Sequence, residues 1–170
     1  MSLSYYQATV PVFVHTLEAL SAILDKAAAF AEAKKVEPTV MCGLRLTADM
    51  LPLSRQVSTA CDFAKLCVAR LSGVEAPKFN DDEKDFAELR SRIARTLEFI
   101  RSVPQAAVEA GGGRVISLKI AGAQRELKPD DYLNFYALPN FFFHATTAYA
   151  ILRANGVELS KKDYLGPLFD

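Results

Sequence analysis

Apolar residues recur at steps of three and four along most of this chain, which is the spacing of one buried face of an α-helix. The first such stripe predicts a long helix that ends near Lys35. Pro11 falls within the stripe, so we expect either a kink or the regular start of the helix at that point. The apolar members of the stripe are Tyr6, Val10, Phe13, Leu17, Leu20, Leu24, Ala28 and Ala31.

A second stripe predicts another long helix, for which Gly73 supplies the C-terminal stop. Residues 36–49 contain Pro38 and Gly43, so they predict a connector with a short helical turn. We expect the end of this connector, at Asp49, to point into the mouth of the helical bundle. The apolar members of the second stripe are Met50, Leu53, Val57, Ala60, Ala64, Cys67 and Leu71.

A third helix is predicted after Asn80 or Asp81, either of which is a suitable N-cap, with Glu83 early in its first turn. Pro104 and the glycines at 111–113 end the pattern, and the glycines themselves are typical of a flexible linker. The buried stripe of the third helix is Phe86, Leu89, Ile93, Leu97 and Ile100.

Period-two alternation over residues 115–127, interrupted at Gly122, predicts a small β-hairpin. Pro129 and Asp130 open a short helical turn, and Pro139 is well placed as the first residue of a fourth long helix that Gly156 ends. The tail after position 158 is predicted to be a docked or loose extension.

Four long amphipathic helices with one inserted hairpin predict an all-α four-helix bundle, forming a single domain over residues 1–170. The fourth helix is apolar on two faces, because Phe142 and Tyr149 lie well around the cylinder from Phe141 and Ala145. The second face needs either the hairpin or another subunit to cover it. We therefore expect a homodimer.

Composition excludes several classes of protein. Twenty basic and twenty acidic residues leave no net charge, so binding to nucleic acid or to an anionic membrane surface is disfavoured. Three cysteines without metal-ligand spacing, and a start that lacks a signal-peptide pattern, indicate a reduced, cytoplasmic protein. No apolar run reaches the roughly 20 residues of a membrane span.

Several segments together carry a family resemblance. They are residues 46–56, Ala60-Cys61-Asp62-Phe63-Ala64-Lys65, Phe86-Ala87-Glu88-Leu89 with Arg92-Ile93, and Leu138-Pro139-Asn140-Phe141 with the Asn155-Gly156 end of the last helix. These segments resemble the uncharacterised bacterial family DUF1993, within the DinB/YfiT-like four-helix bundles. The resemblance spans nearly the whole chain, and it implies a fold more than a reaction.

The wider superfamily implies dimers, and often a divalent metal held by three histidines, of which one lies near the start of the second helix and two form a His-x-x-x-His pair on the last. Some members are thiol-dependent transferases or isomerases. This chain departs from that pattern, because the positions four residues from His144 are Asn140 and Ala148. Where the first imidazole is expected, the chain offers Asp49, with Arg45 and Gln56 nearby. A divalent metal at His144 is therefore the weaker alternative to no cofactor.

Two interpretations of His144 stay open. In the first, it is a buried or half-buried imidazole whose ring nitrogens bond to a carbonyl, to Asp49 or to a tyrosine hydroxyl. In the second, it is a general base or ligand anchor that Asp49 orients, with Gln56 or Tyr136 adding hydrogen bonds. Asn140 and Arg45 complete the candidate ligand-binding set.

Other polar residues favour structural roles. His15 is predicted to be a solvated or interface residue on the first helix. Cys61 and Cys67 lie near a buried stripe, whereas Cys42 beside a glycine is the more reactive-looking thiol. The basic residues of the third helix are interpreted as a solvated, ion-paired face. They are Arg90, Arg92, Arg95 and Arg101, with Glu88 and Glu98.

Two functional hypotheses follow. The first is a dimeric bundle without catalysis that binds a small ligand or a partner in the superfamily's cleft. The second is an enzyme that uses a reduced metal site, or His144 and Asp49 alone, on a small organic or thiol-containing substrate. The first is favoured, because too few imidazoles converge to hold a transition metal.

Overall fold

The computed structural model describes residues 3–167, so positions 1–2 and 168–170 of the predicted domain lie outside the described residues. Four long helices form a bundle, which confirms the predicted all-α architecture and the inserted hairpin. The helices are α1 (Tyr5–Lys34), α2 (Pro38–Cys42), α3 (Leu53–Ser72), α4 (Phe86–Ser102), α5 (Gln105–Glu109), α6 (Pro129–Tyr132), α7 (Leu138–Ala154) and α8 (Lys161–Leu165). The strands are β1 (Ile116–Ile120) and β2 (Ala123–Leu127).

Helix α3 packs along both α4 and α7, while α1 packs along α4 and closes the bundle. The predicted stripes supply the core: Phe13, Leu17, Val57, Leu89 and Ile93 are all buried. Across the bundle, the Phe13 and Phe141 rings meet edge to face with their centroids 4.7 Å apart. The three- and four-residue periodicity therefore identified the helices and the faces that they bury.

Helix α1 begins with a capping box, in which Ser4 and Gln7 each accept a hydrogen bond from the other's backbone N–H. The cap starts the helix ahead of Pro11, so the alternative that Pro11 marks its start is wrong. By length and composition α1 could cross a membrane, but half of its apolar window is buried inside the bundle. It is a core helix.

Helix α3 ends at Gly73, as predicted. Gly73 adopts φ of 75°, a left-handed conformation that glycine tolerates best, and its N–H donates to the Ala69 carbonyl. The Arg114 guanidinium lies over the glycine and donates to the Ser72 carbonyl at 3.2 Å. A Cβ at position 73 would come within 2.7 Å of that guanidinium, so a larger residue would have to displace Arg114 and also adopt a strained φ.

The segment between α4 and α7 contains the predicted hairpin, with Ile116 paired to Leu127 and Ile120 to Ala123. The glycines before it form a 3₁₀ turn over Ala110–Gly113 rather than a flexible linker. Gly111 is buried, and a Cβ there would lie 2.8 Å from the Leu71 carbonyl oxygen. Close packing against the end of α3 explains this turn.

The predicted start of the third helix is wrong by four or five residues. Helix α4 is capped by Asp85, whose side chain accepts from the Glu88 N–H at 2.8 Å. The two residues expected to cap the helix are engaged elsewhere, because the Asn80 carbonyl and the Asp81 carboxylate both accept hydrogen bonds from Arg92.

The last long helix follows α6 and one wide π-helical turn, Leu133–Ala137. In this turn the Leu138 N–H donates to the carbonyl of Leu133, five residues back. Pro139 follows at once, and its missing N–H suits the start of α7. Such wide turns are frequent at functional sites.

The C-terminal segment is docked on the bundle through α8. Lys26 pairs with Asp163 at 2.5 Å, and the Tyr164 ring packs edge to face against Tyr149 with centroids 5.7 Å apart. The second apolar face of α7 is therefore covered at Tyr149 by the chain's own C-terminal helix, which corrects the expectation of a hairpin or second subunit at that residue. Phe142 remains 37% exposed.

Candidate functional site

The candidate site lies between α3 and α7, where His144 meets Gln56. The ring Nδ1 of His144 is 2.7 Å from Gln56 Oε1. Gln56 is buried, and its own Nε2 donates to the Leu51 carbonyl at 3.1 Å. Because this bond directs the amide nitrogen to Leu51, the amide oxygen faces His144 and accepts a hydrogen from Nδ1.

Aromatic rings surround the imidazole. Phe63 of α3 stacks on it at an interplanar angle of 16° and a centroid distance of 5.7 Å. The Phe143 ring packs edge to face with the imidazole at a centroid distance of 5.3 Å. The Tyr136 ring packs edge to face on Phe63 at a centroid distance of 5.7 Å. The site therefore has flat apolar walls around one polar ring.

The second ring nitrogen of His144 is uncommitted. Within residues 3–167 the ring makes one hydrogen bond, through Nδ1, which leaves the Nε2 lone pair without a partner. Burial lowers the pKa of His144 from the ordinary value of 6.5, because desolvation penalises the imidazolium form. Near neutral pH the half-buried ring is thus uncharged and presents a hydrogen-bond acceptor.

Asp49 does not orient the ring, contrary to the second interpretation of His144. Asp49 is exposed on a turn that the Met50 N–H closes by donating to the Thr47 carbonyl at 3.0 Å. Gln56 takes the role expected of the carboxylate. Arg45 does not reach the imidazole either: its guanidinium donates to the Met50 carbonyl and braces the segment that leads into α3.

Tyr136 and Asn140 also differ from their predicted roles. Tyr136 contributes its ring to the wall, not a hydroxyl bond to the imidazole. The Asn140 Nδ2 donates back to the Tyr136 carbonyl at 2.7 Å, within the helix beside the wide turn. The structure therefore brings Gln56 to His144 and places Tyr136 against Phe63, and it gives Asn140 and Arg45 backbone-bracing roles.

The donor set does not fit the superfamily's divalent metal. Across residues 3–167, no group of three His, Cys, Asp or Glu side chains is close enough to hold a metal ion. Ala148 is fully buried in the core, and the Asn140 amide nitrogen is bonded to its own helix. His144 thus offers a single ligand atom, Nε2, where tetrahedral sites use three or four protein ligands.

A second polar cluster was missed by the sequence interpretation. Arg92, placed on a solvated face, has 0% exposure. Its NH1 donates to the Asn80 carbonyl at 2.7 Å and to Glu83 Oε1 at 2.9 Å. Its NH2 donates to Asp62 at 2.9 Å and to Asp81 at 3.2 Å. The signal was its position between Leu89 and Thr96 at helical spacing, inside the buried stripe.

Around Arg92 the charges balance, since Arg55, Lys65 and Arg92 face three carboxylates. Lys65 pairs with Asp62 at 2.8 Å, and Arg55 pairs with Asp81 at 2.6 Å. The Arg92 guanidinium also lies 4.9 Å from the centroid of the Phe79 ring. The cluster therefore fixes residues 73–85, which connect α3 to α4. Within the described residues, Arg92 Nε is the only buried side-chain nitrogen or oxygen without a hydrogen-bond partner.

The thiols are not activated. Cys42 is buried, and desolvation raises its pKa to about 12, which contradicts its interpretation as the more reactive thiol. Cys61 and Cys67 are core residues, as predicted, and burial raises both pKa values to about 12. His15 bonds within the chain, with Nε2 2.5 Å from the Leu165 carbonyl, so it anchors α8.

Two grooves lie along α1, and neither is lined by His144 or Gln56. A groove of about 720 Å³ lies where α1 meets the segment leading into α8, and its lining includes Lys26, Phe30 and Asp163. Of its three charged groups, Lys26 and Asp163 are paired with each other and Glu158 is exposed. The pair formed by His144 and Gln56 remains the strongest candidate.

Comparison with known proteins assigns the fold but no reaction. A family model described as "Domain of unknown function (DUF1993)" matches residues 5–165. The crystal structure of a DinB family member from Shewanella denitrificans has a TM-score of 0.90 and 46% sequence identity, covering 96% of this chain and 92% of that one. No curated protein matches the chain.

Proposed function

The chain belongs to the DUF1993 family, and we propose that it is a binding protein that holds a small ligand at the His144 site without a resident metal. The single observation that carries the proposal is the bond from His144 to Gln56. The partner of His144 is an amide, which serves only in hydrogen bonding, and not the carboxylate or second imidazole that acid–base or metal chemistry would use.

Catalysis by proton transfer needs a second group with matched acidity near the reacting atoms. His144 bonds to Gln56 and packs against Phe63 and Phe143, and none of these three side chains carries a carboxylate or a thiol. An amide and phenylalanine rings recognise shape and hydrogen bonding, and they transfer no protons at neutral pH. This composition supports binding in preference to turnover.

A metal-free enzyme is the alternative, and one observation favours it. The His144 Nε2 has an available lone pair and a pKa lowered by burial, which would suit a general base if a substrate brought its own acidic proton. Conversion of a ligand into product that is lost in His144→Phe would establish this alternative.

The proposal is tested by metal analysis of protein purified without an affinity tag, followed by a thermal-unfolding screen of small molecules. We expect no stoichiometric metal, and we expect compounds that raise the melting temperature of the wild type but not of His144→Phe. The matched control is His15→Phe, which should keep the ligand response. Stoichiometric zinc, nickel or iron that is lost in His144→Ala would contradict the proposal.

We also propose a homodimer through the exposed aromatic residues Phe135 and Phe142. Phe135 is 78% exposed and Phe142 is 37% exposed. Exposed aromatic clusters of this kind are typical of protein interfaces. Light scattering should show loss of a dimer in Phe142→Glu, whereas a Val115→Glu control on the exposed hairpin entry should leave it intact.

A reducing compartment fits the thiols. Cys42, Cys61 and Cys67 are all unpaired and buried, which is the usual state of cysteines in cytoplasmic proteins. We therefore propose a cytoplasmic location. Measurement of free thiols in protein isolated under non-reducing conditions should find all three.

A further inference from the structure

We propose that the His144 site selects uncharged, planar ligands that present an O–H or N–H donor to Nε2. This inference rests on the proposed function and names the class of ligand. Phenols and N–H heteroaromatic compounds have the required chemistry. The proposal depends on three features of the site: the fixed tautomer, the flat walls and the absence of a free charge among the groups that line it.

The tautomer is fixed by a relay of two hydrogen bonds. The Leu51 carbonyl accepts from Gln56 Nε2, and Gln56 Oε1 then accepts from His144 Nδ1. Gln56 is buried, so water does not compete for its amide. A neutral imidazole with hydrogen on Nδ1 has only a lone pair on Nε2, and it can bind a ligand there only by accepting.

Burial holds the ring neutral by lowering its pKa, and the relay adds no charge that would oppose this. A carboxylate partner would favour the imidazolium form and turn Nε2 into a donor, whereas an amide carries no charge with which to do so. Gln56 therefore distinguishes this site from histidine–carboxylate pairs. The consequence is selectivity for donors over acceptors such as carboxylates.

The walls favour a flat ligand. Phe63 stacks on the imidazole and Tyr136 stands edge-on to Phe63, while Phe143 contacts the ring edge and remains 54% exposed. A planar ring that enters beside Phe143 gains aromatic contacts while its donor reaches Nε2.

The charged groups near the site are committed elsewhere. Asp62, adjacent in sequence to Phe63, faces away from α7 and is paired with Lys65 and Arg92. The Arg45 guanidinium is bonded to the Met50 carbonyl. A charged ligand would therefore lose hydration at this site without gaining an ion pair, which disfavours its binding.

The first experiment measures the tautomer. The chain contains only two histidines, so ¹⁵N-histidine labelling gives a spectrum that His15→Gln assigns. Long-range ¹H–¹⁵N correlation at pH 8 should show a protonated Nδ1 and a bare Nε2 in His144. Gln56→Leu should release this preference. A wild-type His144 protonated on Nε2 would overturn the inference.

The second experiment measures selectivity with phenol, anisole and benzoate, titrated against the wild type at pH 8. Phenol and anisole share a flat ring, but only phenol donates. We expect phenol to bind about tenfold more tightly than anisole, as one hydrogen bond allows, and benzoate to bind more weakly than phenol. The His144 Nε2 resonance should shift with phenol alone.

His144→Phe keeps an aromatic ring of similar size and removes the acceptor, so its phenol-to-anisole ratio should fall to near one, while His15→Phe should keep the wild-type ratio. Equal binding of phenol and anisole to the wild type, tighter binding of benzoate, or no response to phenol would overturn the inference. These outcomes are separable from failure of the proposed function, which would appear as bound metal or product formation.

Discussion

Helix α3 carries two polar clusters on different sides, and adjacent residues take part in them. Asp62 turns toward α4 and pairs with Arg92 at 2.9 Å, whereas Phe63 turns toward α7 and stacks on His144. The Arg92 cluster is closed: its cations and carboxylates are matched, and Arg92 itself is inaccessible to solvent. The His144 site is open, with one ring nitrogen uncommitted.

The difference separates a structural role from a functional one. Three of the four hydrogen bonds of Arg92 go to residues 80–83 and the fourth goes to Asp62, so both terminal nitrogens of its guanidinium serve the fold. His144 makes one bond that orients the ring and leaves Nε2 free. Buried polar groups normally satisfy their partners within the protein, and a half-buried one with spare capacity beside aromatic walls is where a ligand would add the missing bond.

The largest expected effect comes from breaking the closed cluster with Arg92→Met. This change leaves Asp62, Asp81 and the nearly buried Glu83 without their shared cation, and removal of one side of a buried ion pair typically costs about 3–5 kcal/mol. Urea unfolding should show the loss as a lower midpoint. Ligand selectivity at His144 should be unchanged below the unfolding transition.

Arg95→Met is the matched control for this variant. Arg95 is exposed on the same helix and lies 4.6 Å from the Phe79 ring without joining the ion pairs. Arg95→Met should lower the unfolding free energy by less than about 1 kcal/mol. Equal losses from the two substitutions would show that the Arg92 cluster contributes no more than surface packing.

The next largest effect is expected from Gln56→Leu, which removes the hydrogen bonds of Gln56 to Leu51 and His144. The substitution removes the bond to His144 but preserves an apolar filling of similar size, so we expect a cost of about 1 kcal/mol in unfolding free energy. The variant should also lose part of its preference for phenol over anisole, because the tautomer of His144 is no longer fixed. We expect this loss to be more evident than the loss of stability. Stability unchanged together with selectivity unchanged would contradict the role of the amide.

Helix-level structure was predictable because it depends on periodicity. The stripes through Leu17, Val57 and Leu89 bury their own side chains whatever the partner helix is. The end of α3 was predictable for a different reason, since glycine is the residue that most readily adopts the left-handed stop seen at Gly73. These features are local in sequence.

The errors concern long-range pairing of polar groups. The start of α4 was misplaced because Asp81 bonds to Arg92, eleven residues later, and this contact outweighs a local cap. In the same way, Gln56 and His144 are 88 positions apart, so periodicity could name both as candidates but could not show that the amide, and not Asp49, meets the ring. Side-chain pairing across helices is set by packing that no local pattern encodes.

A smaller effect is expected at the rim of the closed cluster with Asp81→Asn. Burial opposes ionisation of Asp81, but Arg55 and Arg92 outweigh it, and the pKa is lowered from 3.8. Its ionised form therefore stabilises the fold above the unfolded-state pKa, and this contribution is lost as pH falls through the folded-state pKa. Because the side chain is 39% exposed, we expect less than about 1 kcal/mol at pH 7.

Urea unfolding at pH 7, and then at steps below pH 5, should show the difference between wild type and Asp81→Asn shrinking as acid is added. Asp82→Asn provides the control, since Asp82 is an exposed neighbour outside the ion pairs of the described residues. A difference that grows in acid would show that the Asp81 carboxylate is not stabilised by the two arginines.

The smallest expected effect is the pH dependence that His144 gives to the unfolding free energy. Burial lowers the folded-state pKa of His144 below 6.5. As the pH falls through 6.5, the imidazole therefore binds a proton in the unfolded chain while it is still neutral in the folded chain. The unfolding free energy should therefore fall as pH drops from 7.5 through 6.5, until the folded ring also protonates. The ring is partly exposed, so the change should stay below about 1 kcal/mol.

His144→Phe should remove this slope, while His15→Phe should retain it. An identical slope in wild type and His144→Phe would mean that the ring titrates as in water, and the contrast between a closed cluster and a desolvated, neutral imidazole would not hold.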